Sequence, residues 1–264
     1  MSPGKVSYER KGAAAILTIE RPERRNAVDP ETADQLLEGY RSFETDDDAR
    51  VLVLTGSGDA AFCAGADLKS VAAAAEDEEL AKQWLAPRPD GPLGFTRLTP
   101  SKPAIAAISG YALAGGLELA LWCDLRIGTN TAQLGFPERR WGVPLIDGGT
   151  QRLPRIVGLG RGLDLILSGR IVDANEALGM GLLTEVVPAG KHLERALEIA
   201  EALARFPQDT MLADRSAALE GLGLTFEEGM RLEARAALPT RETAWAGASR
   251  FAAGEGRGGA GAGV

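Results

Sequence analysis

The feature that most constrains this chain is an apolar stretch at residues 103–123, PAIAAISGYALAGGLELALWC, whose one charged side chain is Glu118. The stretch is long enough to span a membrane, but a proline, three glycines and the acid interrupt it. It therefore predicts a buried strand, a turn and a buried helix. Burial of a carboxylate costs free energy unless partners or a raised pKa compensate, so buried acids concentrate where chemistry occurs. The alternative is that Glu118 lies on the wet face of an amphipathic helix.

Composition excludes several classes of function. The 264 residues are 45% hydrophobic, enough for a sizeable core. A net charge of −8 and a pI near 4.9 argue against non-specific nucleic-acid binding and against a polybasic membrane anchor. Cys63 and Cys123 lack a metal-ligand spacing, and the N-terminal MSPGKVSYERKG is charged where a signal peptide is apolar. We therefore expect a cytoplasmic protein without a metal site.

Acid and base chemistry must rest on carboxylates. His192 is the single histidine, and its position before an apolar helical pattern predicts a surface residue at a helix start. No GxSxG sequence occurs, which disfavours a nucleophilic serine or cysteine with a histidine base.

The order of elements predicts an α/β fold followed by a helical region. Asp29 as N-cap and Pro30 at the first helical position start an amphipathic helix. Predicted strands are VSYER, AAAILTIE, VLVLT, PAIAAI and DLRIGT, and predicted later helices cover 174–181, 191–205, 209–221 and 225–238. These patterns indicate a core of residues 1–190, a helical region of residues 191–254 and a disordered Gly-rich tail of residues 255–264.

Three segments carry residues suited to a catalytic site. AFCAGADL at 61–68 and GYALAGGLEL at 110–119 place small residues where backbone N–H groups stay exposed, the second at a helix start that favours negative charge. FPERRWGVPLIDGGTQRL at 136–153 adds Glu138 and Asp147. Two N–H donors facing carboxylates would form an oxyanion hole with acid and base groups beside it.

These motifs resemble the crotonase (enoyl-CoA hydratase/isomerase) superfamily. AFCAGADL, GYALAGGLELALWCDLRI, the FPE with GGTQRLPR, and SGRIVDANEALGMGLLTEVVP occur in the family's order over roughly residues 5–240. The resemblance implies an α/β spiral of ββα repeats with a C-terminal helical trimerisation region. It also implies acyl-CoA thioester substrates, coenzyme A as part of the substrate with no other cofactor, and a homotrimer or hexamer.

The resemblance also implies roles for individual residues. The N–H groups of Ala66 and Gly115 match the two oxyanion donors, and Glu118 and Glu138 match the hydratase acid pair. Glu138 would act as acid and base at Cα, and Glu118 would act on the water. The alternative for Glu138 is an ion pair with Arg139 or Arg140.

Other residues match less specific parts of the family pattern. After the second acid, VPLIDGGT replaces a Pro-Gly-Ala-Gly-Gly turn, so Asp147 is either a third acid or the N-cap of the following helix. Predicted substrate and CoA contacts are Arg24, Arg25, Ala64, Gly65, Asp67, Leu68 and Trp141, each of which could instead be a solvated or core residue.

The sequence therefore predicts an enoyl-CoA hydratase. One alternative is another reaction of the superfamily, isomerisation or thioester hydrolysis or synthesis, that uses Asp147. The second is a non-catalytic acyl-CoA binding or scaffold protein, against which the presence of both Glu118 and Glu138 argues.

Overall fold

The computed structural model describes residues 4–255. Contacts between residues divide the chain into two compact units, one ending at Ala200 and one beginning at Glu201. The predicted division after residue 190 stays a prediction. Apart from Glu255, the predicted disordered tail lies outside the described residues.

Helices and strands alternate through the first unit. The strands are β1 (Val6–Lys11), β2 (Ala14–Ile19), β3 (Val51–Gly56), β4 (Ala61–Cys63), β5 (Ala104–Ile108), β6 (Tyr111–Leu113), β7 (Leu125–Thr129), β8 (Gln133–Gly135), β9 (Ile171–Asp173) and β10 (Glu185–Val187). The α-helices of residues 4–255 are α1 (Pro30–Thr45), α2 (Leu68–Ala74), α3 (Glu78–Leu85), α4 (Gly115–Trp122), α5 (Gly149–Val157), α6 (Leu159–Ser168), α7 (Ala174–Gly179), α8 (His192–Arg205), α9 (Gln208–Glu220), α10 (Phe226–Ala237) and α11 (Arg241–Ala252).

The strands form two mixed sheets. The larger has the order β1-β2-β3-β5-β7-β10 and is parallel except for β1, which pairs antiparallel to β2 with Val6 opposite Ile19. The smaller has the order β4-β6-β8-β9, with β9 antiparallel. Every residue of β3 and β5 is buried, which is why both sequences are continuous apolar runs. The predicted α/β class is confirmed.

Helix α1 begins as its sequence predicts. Asp29 accepts a hydrogen bond from the Thr32 N–H at 2.9 Å, and Pro30 occupies the first turn, where a missing N–H costs nothing. The apolar face packs into the core, where the Tyr40 ring stacks on Phe95 at 5.3 Å between centroids. A β-bridge between Val28 and Ala66 places the segment before α1 beside the segment that follows β4.

Helix α4 is buried on every side from Gly116 to Trp122. Glu118 is only 2% exposed, so the wet-face alternative is wrong. The stretch 103–123 thus forms β5, β6 and α4, and the short β6 replaces part of the predicted turn. No helix among residues 4–255 combines the length and apolarity needed to cross a membrane.

The second unit is helical, as predicted, and α9 packs against α10 there. Helix α11 lies within the predicted helical region but was not among the individual predicted helices, because its Ala- and Gly-containing sequence shows little periodicity. The prediction that His192 lies on the surface is wrong. It does start α8, but it is buried, and burial lowers its pKa. Helical spacing identifies residues on one face, yet it does not reveal what packs against the first turn.

Candidate active site

A cavity of about 290 Å³ brings together the three acids that the sequence singled out. Glu118 on α4, Glu138 on a 3-10 helix (Pro137–Trp141) and Asp147 before α5 all line it. Of the other residues predicted for the site, Ala64, Ala66, Leu68 and Gly115 also line this cavity. Residues from four separate parts of the sequence therefore meet at one cavity.

Two backbone N–H groups at this cavity have no acceptor in the part of the chain that the structure describes. The Val28 N–H donates to the Gly65 carbonyl at 2.8 Å, and the Asp67 N–H donates to the Val28 carbonyl at 2.9 Å. Between these bonds the Ala66 N–H has no acceptor among residues 4–255. The same holds in this range for the Gly115 N–H, which belongs to the first turn of α4 and shares its positive helix-dipole end.

The two turns that carry these N–H groups are in close contact. A Cβ atom added to Gly65 would lie 2.7 Å from the Gly115 nitrogen. Gly65 also has φ of +85°, a conformation that favours glycine. Ala114, just before α4, has φ of +53° without being glycine, so the backbone here is strained. The close approach explains why small residues occupy both motifs.

Gly65→Ala is expected to lower both stability and activity, because the methyl group would push the two turns apart. Gly58→Ala is the matched control: Gly58 has φ of +74°, yet its added Cβ meets nothing closer than 3.9 Å. Both variants lose about 1 kcal/mol of unfolding free energy from the positive φ. Gly65→Ala should lose further unfolding free energy because its methyl group meets the Gly115 nitrogen, and it alone should lose turnover. Equal unfolding free energies in urea for the two variants would contradict the contact.

Glu118 is a buried acid held by backbone donors. Its Oε1 accepts hydrogen bonds from the N–H groups of Asp147 at 2.9 Å and Gly149 at 2.7 Å. Burial raises its pKa to about 7, with the Asp147 charge adding to the effect and the two hydrogen bonds opposing it. A carboxyl group with such a pKa exchanges protons readily at neutral pH, which suits an acid or base catalyst.

This pKa predicts that Glu118→Gln stabilises the fold at neutral and higher pH. Between a pKa of 4.5 in the unfolded chain and about 7 in the folded one, only the unfolded chain ionises, so wild-type stability falls as pH rises through that window. The difference corresponds to on the order of 3 kcal/mol above pH 7 and vanishes at low pH. Denaturant unfolding at several pH values measures it. A Glu118→Gln effect independent of pH would refute the raised pKa.

Glu138 is buried without a partner. It is 5% exposed, and neither Oε1 nor Oε2 has a hydrogen-bond partner among the described residues. Burial raises its pKa, against the opposing effects of its own backbone N–H group and of the Arg139 charge. Glu138 does not form the ion pair that was its alternative interpretation. The Arg139 side chain instead donates a hydrogen bond to the Ile166 carbonyl group at 3.4 Å. An unsatisfied buried acid is costly, and such groups concentrate where substrates bind.

Asp147 does not cap the following helix. The N-cap of α5 is Gly148, which has no side chain to offer, so that interpretation is wrong. The Asp147 Oδ1 instead accepts hydrogen bonds from the Leu93 N–H at 3.0 Å and from the Thr96 hydroxyl. Burial raises its pKa, while these bonds lower it. Asp147 thus connects the cavity to the loop between α3 and β5.

Among the residues predicted to contact CoA, Asp67 uses both carboxylate oxygens in hydrogen bonds within the protein. Its Oδ2 accepts from the Arg21 guanidinium at 2.9 Å, and its Oδ1 accepts from the Lys69 N–H at the start of α2. Arg24 and Arg25 are exposed, with Arg25 over the Tyr111 ring at 5.2 Å. A role toward CoA stays a prediction for all three.

Trp141 lies away from the cavity lining and is 75% exposed. Sequence reasoning missed Thr96 and Arg152. Arg152 donates to the Asp147 carbonyl at 2.8 Å and to the Thr96 carbonyl at 2.6 Å. Its place in the GGTQRLPR motif was a usable signal. Thr96 had none.

Comparisons with known proteins agree with this fold. A sequence profile of the enoyl-CoA hydratase/isomerase family matches residues 9–252. A probable enoyl-CoA hydratase of Rhizobium meliloti is 38% identical over 236 residues, 89% of this chain and 89% of that protein. The (E)-benzylidenesuccinyl-CoA hydratase of Thauera aromatica is 36% identical, over 85% of this chain and 86% of that protein. The crystal structure of enoyl-CoA hydratase from Mycobacterium tuberculosis has a TM-score of 0.84 at 31% identity, over 94% of this chain and 97% of that one.

The fold is that of the crotonase superfamily, and its C-terminal helical region is present as predicted. The chain belongs to the enoyl-CoA hydratase/isomerase family. The family covers more than one reaction on acyl-CoA thioesters, as its description states.

Proposed function

We propose that this protein is an enoyl-CoA hydratase that adds water to a 2-enoyl-CoA thioester. The observation that carries the proposal is the pairing of two buried acids, Glu118 and Glu138, at a cavity that also presents two N–H groups without an acceptor in the described range. Hydration needs one group to activate water, one to protonate carbon and donors to stabilise the enolate. The site holds a candidate for each.

The proposed mechanism assigns the carbonyl oxygen of the thioester to the N–H groups of Ala66 and Gly115. Ionised Glu118 takes a proton from water while the oxygen bonds to Cβ, and the electrons of the double bond move into an enolate. The two N–H groups stabilise the negative charge on the enolate oxygen. Protonated Glu138 then gives its proton to Cα, so that one water is added in total. Burial raises the pKa of both acids, which favours the protonated form that each must hold at one stage of the reaction.

Isomerisation is the second candidate, because a third acid, Asp147, lines the same cavity. An isomerase moves a proton between Cα and the γ carbon, and one well-placed acid suffices. Hydration has a use for the pair of Glu118 and Glu138, which is why we prefer it.

A spectroscopic assay tests the proposal. Mixing the enzyme with a trans-2-enoyl-CoA should remove the conjugated absorbance as a 3-hydroxyacyl-CoA forms. Formation of conjugated product from a 3-enoyl-CoA, with no water addition, would establish isomerisation instead. Binding of CoA without turnover of any enoyl-CoA in a panel would indicate a non-catalytic protein.

The proposal takes coenzyme A only as part of the substrate and includes no metal or redox cofactor. It also includes assembly as a homotrimer or hexamer, which sedimentation would measure. Exhaustive dialysis against a chelator should then leave turnover unchanged, and a loss restored by added metal would overturn this part.

A further inference from the structure

We propose that Asp147 is a positioning residue for Glu118: its carboxylate ties the loop at residues 93–96 to the turn at residues 147–149, whose backbone holds the Glu118 carboxyl group. This inference rests on the proposed function, in which Glu118 activates the water. It assigns to Asp147 a role other than proton transfer, and it adds Thr96 and Arg152 to the groups on which the reaction depends.

Two connections join the loop at residues 93–96 to the turn at residues 147–149. One connection runs through the Asp147 Oδ1, which accepts from the Leu93 N–H and the Thr96 hydroxyl. The other runs through Arg152, whose guanidinium donates to the carbonyl groups of Asp147 and Thr96. Asp147 is 3% exposed and Thr96 is 1% exposed, so water does not compete strongly for these bonds.

The same turn at residues 147–149 also holds the Glu118 carboxyl group. The Asp147 and Gly149 N–H groups both donate to the Glu118 Oε1. Gly148 between them has φ of +101°, which lets the two N–H groups converge. The turn also packs directly on the acid, since a Cβ added to Gly149 would lie 3.0 Å from the Glu118 Oε1. A shift of the Asp147 backbone would therefore move both donors.

A positioning role and a proton-transfer role require different properties of the Asp147 side chain. Holding the loop needs only an acceptor oxygen at the Oδ1 position, and an amide oxygen supplies one. Proton transfer needs an ionisable group. Asp147→Asn therefore keeps the first property and removes the second, whereas Asp147→Ala removes both. Thr96→Val removes the hydroxyl donor at almost constant shape and leaves the Asp147 charge in place.

The charges around the site predict a distinctive pH effect. The charged groups that act on Glu118 are Asp147, Glu138 and Arg152, and Arg97 and Arg152 act on Asp147. The Asp147 charge raises the pKa of Glu118. Hydration requires ionised Glu118, so its rate rises with pH through that pKa. Removing the Asp147 charge lowers the pKa, and the acid limb of the profile moves to lower pH.

The test compares kcat against pH for four variants. Asp147→Asn should retain kcat to within about tenfold, with its acid limb at lower pH than in the wild type, while Asp147→Ala should lose on the order of 10²-fold through displacement of Glu118. Thr96→Val should lower kcat without moving the acid limb to lower pH. Thr99→Val, on the same loop but exposed, is the control and should match the wild type.

Two results would overturn the proposal. One is loss of turnover in Asp147→Asn together with wild-type kcat in Thr96→Val, which would assign proton transfer to Asp147. The other comes from hydrogen exchange of the segment 145–152, which should quicken in Asp147→Ala and Thr96→Val but not in Asp147→Asn. Unchanged exchange in all variants would refute the proposed connection between the loop and the turn. Because exchange needs no substrate, it tests this connection even if the wild type proves not to hydrate enoyl-CoA.

Discussion

Replacing Glu118 or Glu138 by glutamine should lower the rate of hydration by on the order of 10²-fold or more, the usual effect of losing a positioned acid or base. Both amides keep the size of the acid. In Glu118→Gln the amide oxygen can still accept the two N–H groups that hold the native carboxylate, and Glu138→Gln removes a carboxylate that has no partner among the described residues. The fold should therefore persist while proton exchange is lost.

Loss of conjugated absorbance from a 2-enoyl-CoA measures this prediction, and circular dichroism checks the fold. Glu38→Gln, at an exposed position on α1, is the matched control and should behave as the wild type. Near-normal turnover in either variant would remove that acid from the mechanism. A loss in both single variants with no further loss in the double variant would indicate that the acids act as a unit.

Gly115→Pro should cost about 3 to 4 kcal/mol of transition-state stabilisation, because proline deletes the N–H proposed as an oxyanion donor. Gly115 is the first residue of α4, where proline removes no hydrogen bond within the helix. The ratio of kcat/KM to the wild-type value gives the loss, and thermal unfolding shows whether the variant folds.

Gly115→Ala separates the missing N–H from the added bulk. Its Cβ would meet the flexible end of Leu93 at 2.5 Å, so it introduces a contact while keeping the donor. The loss should be clearly smaller than for proline. Folded Gly115→Pro protein with wild-type kcat/KM would contradict the assignment, as would equal losses in the two variants.

Much of the fold was readable because the signals are local. Asp29 and Pro30 fix the start of α1 through bonds within four residues, and the runs at β3 and β5 are apolar because both faces of a parallel sheet are covered. The strands of the smaller sheet were not predicted as a sheet. Each has only three residues, too few for a periodic pattern.

The candidate site was readable only in part. Ordered motifs identified the family and brought Glu118, Glu138 and Asp147 forward as acids. The contacts of each acid could not be inferred. Asp147 had two local interpretations, and its observed partners, Leu93 and Thr96, lie more than fifty residues earlier in a segment without a motif.

By itself, the sequence determined that this chain folds as an α/β protein of its family and brought Glu118 forward as a candidate catalytic acid, because both follow from hydrophobic pattern and motif order. Only the tertiary structure decided that Glu118 is held by the turn at residues 147–149, that Glu138 has no partner among the described residues and that His192 is buried. The physical reason is distance along the chain. Hydrophobic periodicity and capping act over a few residues, whereas burial and hydrogen bonding of these side chains depend on segments that meet only after folding.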